Sequence, residues 1–544
     1  MVNKEFASNR LDQAFARFLT DRTNLDEAQK QRFYTIVEQL SFQQNHGHSC
    51  ILIDADVQEL LMASGMVSEN SRTPLILENN RLYLHRYWSY ECRLAKQVLQ
   101  IKSKIPDSPD LTKVLDYYFG KTVEFTDWQR EAAKLAIAYS FSIITGGPGT
   151  GKTTTVVKIL ALLQELAEQP LLIALAAPTG KAAMRLKEAI NISKNNLPCS
   201  DEVLELIPEN VSTLHRLLGA RPPSPYFHYN SECSLPHDLI VVDEASMIDL
   251  ALMSKLVDAL KPNARLILLG DKDQLASVES GAVLADLTKA LPECTLELKK
   301  SYRFNQNIKQ LAGAVNQQNA AQAWRILHSN QENISCLNDS LITFIVSKQM
   351  DYLNLIKSAA PFQDIYQSFN CFQVLCSNRH GENGTMAINT LVEQHLLASG
   401  DIYKTGKWYA GRPVMITQNN AAMHLYNGDI GICLPDSSVD RKLMVFFPGS
   451  DGSVKKFLPT RLPHCETVFA MTIHKSQGSE FNEILIALPP TMNPVLSKEL
   501  LYTAITRARE KVIMMADKTI FEQTIQQKTE RFGGLEEKIV HLLG

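Results

Sequence analysis

The sequence predicts an α/β protein in which a helical N-terminal region is followed by two lobes, each built on a parallel sheet. Short, continuous apolar runs separated by helical stretches begin after residue 121, and the same pattern returns at residues 468–515. Such runs indicate strands that are buried on both faces, as in parallel sheets covered by helices. Between these two groups lies a β-rich stretch with Asn-Gly and Gly turns, which differs from both.

The composition is that of a globular protein without a membrane anchor. The chain has 544 residues, 45% of them apolar and 21% charged, and its net charge is −3 at pH 7. This charge excludes a globally basic nucleic-acid coat but is compatible with a local basic channel. The N-terminus is polar, and no apolar run approaches the length of a membrane span. The cysteines are too sparse for a disulfide scaffold. We therefore expect a cytoplasmic protein with free thiols and no membrane contact.

The N-terminal region, residues 1–120, shows helical periodicity and no catalytic grouping. Apolar side chains recur at helical spacing within residues 11–19, 33–40 and 90–101, and an alternating stretch at residues 81–88 predicts a strand. A helical region without catalytic residues favours docking onto another subunit. We therefore predict a helical, partner-docking N-terminal domain.

The two lobes are predicted over residues 121–300 and 301–544. The strands predicted from the apolar runs are 141–145, 171–177, 239–242 and 266–269 in the first lobe and 468–473, 484–488 and 511–515 in the second. The β-rich stretch at about 400–465 predicts a small antiparallel β-barrel inserted in the second lobe. Residues 221–237 predict a hairpin insert on the first lobe.

The strongest chemical signal is the sequence GGPGTGKT, which follows an apolar strand and precedes an amphipathic helix. With the next threonine, the predicted nucleotide-binding residues are Gly146, Gly147, Pro148, Gly149, Thr150, Gly151, Lys152, Thr153 and Thr154. The glycines let backbone N–H groups converge on phosphates, and the helix N-terminus adds partial positive charge. Lys152 is expected to reach the terminal phosphates, while the Thr153 hydroxyl suits Mg²⁺. The strand–loop–helix context therefore predicts a P-loop that binds ATP.

A P-loop requires a metal carboxylate at the end of a nearby strand, and the sequence LIVVDEAS supplies one. Asp243 is predicted to hold Mg²⁺, and Glu244 is predicted to orient or deprotonate the attacking water. Gln274, after the next predicted strand, is placed to sense the γ-phosphate. Two arginines distant in sequence, Arg303 and Arg507, are candidates for stabilising the charge on the transferred phosphoryl group.

The order of these motifs resembles a known family. The sequence shows, in this order, FTDWQ, GGPGTGKT, APTGKAA, STLHRLLG, VVDEAS, GDKDQL, SYRF, TIHKSQGSEF and LLYTAITRAR. This series resembles the superfamily 1 DNA helicases and, within them, the RecD family, whose members include the alpha subunit of exodeoxyribonuclease V (RecBCD). The resemblance covers about residues 120–515 and implies two RecA-like lobes.

The resemblance also implies roles for individual residues. Gln129 would read the adenine edge, and both Arg303 and Arg507 would face the γ-phosphate from the second lobe. The residues implied to line the DNA track are Pro178, Thr179, Lys181, Thr213 and His215 on the first lobe and Thr472, His474, Lys475, Ser476 and Gln477 on the second. Hydroxyls and backbone amides grip phosphates without reading sequence, as a translocating motor requires.

The implied function is an ATP-dependent 5′→3′ single-stranded DNA translocase and helicase that acts at duplex ends in double-strand-break repair and recombination. Its implied partners are the RecB and RecC subunits, with direct contact mainly to RecC. Two alternatives remain open: a stand-alone helicase of the same branch, and a nucleotide-switched regulatory scaffold. The hairpin also has two interpretations. Tyr226, Phe227 and Tyr229 stack on bases near the strand-separation point, or they pack on their own lobe or on a partner.

Overall fold

The computed structural model describes residues 8–69, 72–104, 111–121, 126–277, 279–300, 306–329, 331–404, 406–449 and 452–544. Along these residues an N-terminal part is followed by two α/β lobes, and a small antiparallel sheet is inserted in the second lobe. No helix in the described ranges combines the length and the apolar character needed to cross a lipid bilayer.

The N-terminal part combines helices with a small sheet. Its elements are α1 (Arg10–Thr20), α2 (Glu27–Asn45), β1 (Cys50–Leu52), α3 (Ala55–Ala63), β2 (Val67–Ser68), β3 (Leu75–Glu78), β4 (Arg81–Leu84), α4 (His85–Ile101) and α5 (Leu111–Phe119). The strands form a four-stranded sheet in the order β1-β4-β3-β2. Strands β3 and β4 are joined by Asn79 and Asn80, both at positive φ (50° and 59°), as in a tight hairpin turn.

The helical prediction missed this sheet because its strands, of two to four residues, are too short to produce a clear alternating pattern. The alternating stretch at residues 81–88 is a strand only as far as Leu84, and α4 begins at His85.

The first lobe contains the parallel sheet that the apolar runs predict. Its elements are α6 (Trp128–Ala138), β5 (Phe141–Thr145), α7 (Lys152–Leu166), β6 (Ile173–Ala177), α8 (Gly180–Lys194), α9 (Asp201–Leu206), β7 (Val211–Thr213), α10 (Leu214–Leu217), β8 (Leu239–Val242), α11 (Leu250–Asp258), β9 (Arg265–Gly270), α12 (Val283–Ala290) and β10 (Thr295–Glu297). The six strands run parallel in the order β10-β5-β9-β8-β6-β7. All residues of β5, β6 and β8 are buried, as expected for strands covered on both faces.

The second lobe repeats this architecture around an insertion. Its elements are α13 (Gln306–Asn316), α14 (Ala320–Leu327), β11 (Ile334–Cys336), α15 (Leu341–Lys357), α16 (Phe362–Cys371), β12 (Phe372–Cys376), α17 (Thr385–Ala398), β13 (Pro413–Ile416), β14 (Ile430–Asp436), β15 (Lys442–Pro448), β16 (Val454–Phe457), β17 (Cys465–Thr467), β18 (Ala470–Thr472), α18 (Ile473–Ser476), β19 (Phe481–Ala487), α19 (Lys498–Ile505), β20 (Ala508–Met515), α20 (Lys518–Gln526) and α21 (Leu535–Leu543). Five of these strands form a parallel sheet in the order β11-β20-β19-β12-β18.

The insertion is a five-stranded antiparallel sheet in the order β16-β15-β14-β13-β17. It has its own apolar core, which includes Val414, Cys433 and Phe447. An inserted antiparallel β structure is therefore present where the sequence predicts it, and closure of this sheet into a barrel stays a prediction.

The C-terminal helix α21 packs against helix α4 of the N-terminal part. Leu535 and Ile539 lie in the same apolar core as Leu94 and Val98 of α4. Beside this core, the buried carboxylate of Glu91 accepts hydrogen bonds from the Ser49 hydroxyl (2.6 Å) and the Gly534 N–H (3.1 Å). The Lys538 ammonium lies 3.5 Å from the same carboxylate. A buried, fully partnered charge thus joins the two ends of the chain.

We expect Glu91→Ala to lower the free energy of unfolding by about 3 kcal/mol, because it removes the acceptor of the buried Ser49 hydroxyl and Gly534 N–H and leaves Lys538 with one carboxylate partner, Glu78, in place of two. Glu537→Ala is the matched control, since Glu537 pairs with Arg81 at the surface of the same interface and should contribute less than about 1 kcal/mol. Chemical denaturation followed by circular dichroism measures both values. Equal losses in the two variants would contradict this assignment.

Candidate nucleotide site between the two lobes

The loop between β5 and α7 has the backbone of a phosphate-binding loop. Gly149 and Gly151 have φ of +74° and +80°, in the left-handed region that favours glycine. At Gly146 a Cβ would lie 2.9 Å from the Thr150 hydroxyl oxygen and 3.0 Å from the Leu298 carbonyl oxygen, so a side chain does not fit there. The Thr150 hydroxyl donates to the Gly147 carbonyl (2.8 Å) and shapes the loop from inside.

Lys152 is the first residue of α7 and points back across this loop. Its ammonium donates hydrogen bonds to the carbonyl oxygens of Gly146 (2.7 Å) and Gly147 (3.1 Å). The positive charge and the N-terminal end of α7 therefore lie together, as an anion site requires.

Acidic residues stand at the ends of the neighbouring strands β8 and β9. Asp243 follows β8, and its carboxylate accepts a hydrogen bond from the Glu244 N–H (2.8 Å). Burial and the adjacent Glu244 carboxylate raise the pKa of Asp243, whereas the Lys152 ammonium opposes this shift. Glu244 has a φ of +52°, an uncommon conformation for a residue with a side chain. Burial raises the pKa of Asp271, after β9, to about 6.

A chain of hydrogen bonds joins Asp271 of the first lobe to Arg507 of the second. The Gln274 amide donates to the Asp271 carboxylate (2.9 Å), and its carbonyl oxygen accepts from the Arg507 guanidinium (2.7 Å). Arg507 is buried, and the carbonyls of Thr503 (3.1 Å) and Ser479 (3.2 Å) accept its remaining hydrogen bonds. The Tyr502 hydroxyl also donates to Asp271 (3.1 Å). The arginine is thus fixed in place by groups from both lobes.

These groups share one cavity of about 280 Å³ between the lobes. Its lining includes Pro148, Gly149, Gly151, Lys152, Thr153, Thr154, Asp243, Glu244, Gln274 and Arg507. The structure therefore brings together the predicted P-loop, the two acids, the sensor glutamine and one predicted arginine. Arg303 lies outside the described residues. Gln129 lies half-buried in the first turn of α6 and is not among the residues that line the cavity.

Four further charged residues line the same cavity and were missed from the sequence: the exposed Glu188, and three residues that interact with one another, Arg185, Glu480 and Arg509. Arg185 of α8 donates to the Gly478 carbonyl (2.7 Å) and lies 3.3 Å from the Glu480 carboxylate. Arg509 of β20 binds the same carboxylate (3.1 Å). Two of the three, Glu480 and Arg509, lie within motifs identified in the sequence. Arg185 has no comparable signal, because one charged residue on an amphipathic helix is ordinarily a surface residue.

The threonines of the predicted DNA track share one local structure. Thr179, Thr213 and Thr472 each lie at or just beyond the end of a parallel strand, and each accepts a hydrogen bond from the backbone of the helix that follows. Strands β6 and β7 are neighbours, so Thr179 and Thr213 lie at the same edge of the first-lobe sheet.

The other predicted track residues divide into accessible and interior groups. Pro178, Lys181, His474 and Lys475 are half-buried, and His215 is exposed. Burial lowers the pKa of Lys181 to about 8 and also lowers the pKa of His474. Lys475 pairs with Glu466, which also binds Arg379 (3.0 Å).

Ser476 and Gln477 face the interior, contrary to the expectation of an open track. The buried Ser476 hydroxyl donates to the Ile473 carbonyl (2.7 Å). The Gln477 amide donates to the Leu275 carbonyl of the first lobe (3.0 Å). In this structure these two side chains therefore hold their own loop and the contact between the lobes. Motif position alone did not distinguish them from their accessible neighbours.

The segment at residues 221–237 has only short antiparallel pairing, between Ala220 and Phe227 and between Asn230 and Cys233. Tyr226 is 77% exposed. Phe227 and Tyr229 pack against the core of the first lobe, and the Phe227 ring also contacts His215 at 5.7 Å between ring centroids. The structure thus supports packing on the lobe for two of these aromatic residues and leaves Tyr226 accessible.

Comparisons with known proteins agree with this architecture. A profile of the AAA domain matches residues 129–280, and a profile of the UvrD-like helicase C-terminal domain matches residues 467–515. The two matched regions supply all of the residues that line the cavity. Fold and site together define a P-loop helicase whose nucleotide site lies between two lobes.

Within this class, the chain belongs to the RecD family. It is 38% identical to the RecBCD enzyme subunit RecD of Mycolicibacterium smegmatis, over 86% of this chain and 83% of that protein. It is 36% identical to the RecBCD enzyme subunit RecD of Haemophilus influenzae, over 86% of this chain and 81% of that protein. The ATP-dependent RecD2 DNA helicase of Deinococcus radiodurans is 31% identical, over 73% of this chain but 50% of that protein.

We expect Arg185→Ala to weaken nucleotide binding about tenfold, because it removes a cation that faces the cavity and joins the lobes. Lys194→Ala is the matched control: it removes a cation of the same helix that pairs with Glu209 outside the cavity lining, and it should leave the affinity unchanged. Titration with a fluorescent ATP analogue gives both affinities. An unchanged affinity in Arg185→Ala would contradict the assignment.

Proposed function

We propose that the protein is an ATP-dependent helicase that moves 5′→3′ along single-stranded DNA as the RecD subunit of a RecBCD-type helicase–nuclease in double-strand-break repair and recombination. The observation that carries this proposal is the cavity between the lobes, where Lys152, Glu244 and Arg507 meet. Membership of the RecD family supports the same assignment.

The cavity has a donor set that fits magnesium and a triphosphate. Thr153 and Asp243 supply oxygen ligands, the type that Mg²⁺ prefers, beside the Lys152 ammonium. A divalent cation would favour the ionised form of Asp243, which burial otherwise disfavours. We therefore assign Thr153 and Asp243 to the metal and Lys152 to the terminal phosphates. Magnesium-bound ATP would supply the phosphoryl group that is transferred to water.

Hydrolysis is divided between the two lobes. Glu244 would orient the attacking water and accept its proton. Arg507 would stabilise the negative charge that develops on the transferred group, and its hydrogen bonds to Thr503 and Ser479 hold the guanidinium in place before the reaction. Gln274 touches Arg507 directly, so it would relay the presence of the γ-phosphate from one lobe to the other.

Movement along DNA would follow from this shared site. Lys152 of the first lobe and Arg507 of the second line the same cavity, so a bound triphosphate would attract both and hold the lobes together. Loss of the terminal phosphate would weaken closure of the lobes and open the cleft. Thr179 and Thr213 of the first lobe and Thr472 of the second would bind the strand through phosphate contacts. Alternating grip by the two lobes would then give movement in one direction.

The N-terminal part is proposed to dock onto partner subunits. Helix α1 exposes two large apolar side chains, Leu11 (72% exposed) and Phe18 (52% exposed). The two residues are seven positions apart and therefore lie on one face of the helix, where neighbouring exposed apolar groups favour a protein interface. We propose RecC as the direct partner and RecB as the third subunit. The complex would act at duplex DNA ends in the cytoplasm, with any nuclease activity supplied by a partner.

Two alternatives compete with this proposal. A stand-alone helicase would purify without partners, whereas a RecBCD-type subunit would co-purify with two large chains. A nucleotide-switched scaffold would bind ATP but would not need Glu244 and Arg507 in one cavity. Their common position therefore favours a motor.

Direction and motor activity can be measured together on duplexes that carry either a 5′ or a 3′ single-stranded tail. We expect unwinding from the 5′ tail, with and without the proposed partners, and we expect single-stranded DNA to stimulate ATP hydrolysis. Lys152→Gln should abolish both activities, whereas Lys134→Gln, a change at an exposed ion pair of α6, should leave them intact. Unwinding only from the 3′ tail would refute the proposed direction.

Arg507→Ala separates binding of ATP from its hydrolysis. We expect a loss of about 10³-fold or more in the rate of hydrolysis, because the guanidinium is needed where charge develops. Nucleotide affinity should change far less, since the P-loop contacts are intact. Single-turnover hydrolysis and nucleotide titration measure the two quantities. Near-normal hydrolysis in this variant would show that Arg507 does not act on the phosphoryl group.

A further inference from the structure

The segment that joins α20 to α21, residues 527–534, passes between the N-terminal part and both lobes. Near its middle lies Arg531, whose guanidinium enters the loop that follows Gln274. Arg531 donates to the carbonyls of Glu279 (2.7 Å) and Gly281 (3.0 Å) and also binds the Ser277 carbonyl. One guanidinium thus donates hydrogen bonds to three carbonyl groups of a single loop. This is a specific arrangement of donors and acceptors, unlike an ion pair at the surface.

The same guanidinium is packed against the N-terminal part. A Cβ on Gly47, which has a φ of +92°, would lie 2.9 Å from the central carbon of the Arg531 guanidinium. The Gly281 N–H donates to the Gly47 carbonyl (3.0 Å), and the Ser280 hydroxyl donates to the Gln44 carbonyl (3.0 Å). The loop after Gln274 therefore lies between Arg531 and the end of α2.

Residues that flank Arg531 fix the segment in this position. The Phe532 ring stacks on His48 at 5.2 Å between centroids, and the Phe532 N–H donates to the ring of the same histidine (3.1 Å). The Ser49 N–H donates to the Phe532 carbonyl (2.9 Å). Two residues further, the Gly534 N–H binds the buried Glu91 carboxylate. These bonds determine where Arg531 can reach.

The loop that Arg531 holds begins at the nucleotide sensor. Gln274 contacts Arg507, and the next residue, Leu275, is bound on both sides by the second lobe: its N–H donates to the Thr503 hydroxyl (2.9 Å), and its carbonyl accepts from Gln477 (3.0 Å). The Arg531 contacts start two residues later, at Ser277. Burial and, to a smaller extent, the positive charge of Arg531 lower the pKa of His474 in the second lobe.

We propose that Arg531 is a positioning residue for ATP hydrolysis: it holds the loop after Gln274 and ties the nucleotide sensor to the N-terminal part. Arg531 touches none of the groups that line the cavity, so it acts through the loop. A change in the position of Gln274 on hydrolysis is then transmitted through three loop carbonyls to Arg531 and to the end of α2. The same route allows a subunit bound to the N-terminal part to influence the rate of hydrolysis. This inference rests on the proposed function.

The test is steady-state ATP hydrolysis by the full-length protein with saturating single-stranded DNA. For Arg531→Ala we expect kcat to fall about fivefold or more with the KM for ATP changed by less than about twofold, because the sensor is misplaced while the P-loop is intact. Arg531→Lys should fall between wild type and Arg531→Ala, since an ammonium keeps the charge but cannot span three carbonyls. Lys528→Ala, an exposed change in the same segment, should match wild type.

Hydrogen exchange supplies a readout independent of activity. In Arg531→Ala we expect faster exchange at residues 279–281 and unchanged exchange in α7. If Arg531→Ala does not fold, ATP hydrolysis and hydrogen exchange are both measured on Arg531→Lys. A wild-type kcat in a folded Arg531→Ala protein would overturn the inference. A general defect would also overturn it, in which kcat falls, the KM for ATP rises and thermal stability drops together, and Arg531→Lys restores none of them. Absence of DNA-stimulated hydrolysis in the wild type would instead refute the proposed function.

Discussion

The contact between Gln274 and Arg507 is the constraint on which the site depends. It joins a strand end of the first lobe to a helix end of the second, in a place where both side chains are buried. Since a buried arginine requires hydrogen-bond partners on every side, the carbonyls of Thr503 and Ser479 must also be in place. The positions of these groups in the cleft therefore depend on supplying hydrogen-bond partners to the Arg507 guanidinium.

The charged groups of the cleft come from both lobes, and neither lobe alone supplies the full set. The first lobe contributes Lys152 and Arg185 together with the half-buried Asp243 and the buried Asp271, and the second contributes Arg507, Arg509 and Glu480. Burial raises the pKa of both aspartates, which means that these carboxylates are held where water solvates them poorly. A ligand that brings phosphate and a cation together therefore binds such a site most favourably. Its binding free energy is available to change the position of one lobe relative to the other.

The two ends of the chain form a third structural unit that contacts this machinery. Helix α21 shares an apolar core with α4, and the segment before it passes the loop that follows Gln274. Glu91, Gly534 and Arg531 therefore belong to one continuous set of contacts, although they are distant in sequence. The N-terminal part is joined to the nucleotide site through this segment, not simply placed beside the first lobe.

The sequence alone determined the parts of the protein that depend on local pattern. Continuous apolar runs located seven of the eleven strands of the two parallel sheets and missed β7, β10, β11 and β12. The glycines and Lys152 identified the P-loop, because this feature requires particular residues at fixed spacing. The small N-terminal sheet was not predicted, because its strands are too short to show periodicity. Arg185, Arg531 and the inward orientation of Ser476 and Gln477 were decided by the tertiary structure. Their roles depend on which carbonyls and carboxylates lie opposite them, and those partners come from distant segments whose position is fixed only when the lobes pack together.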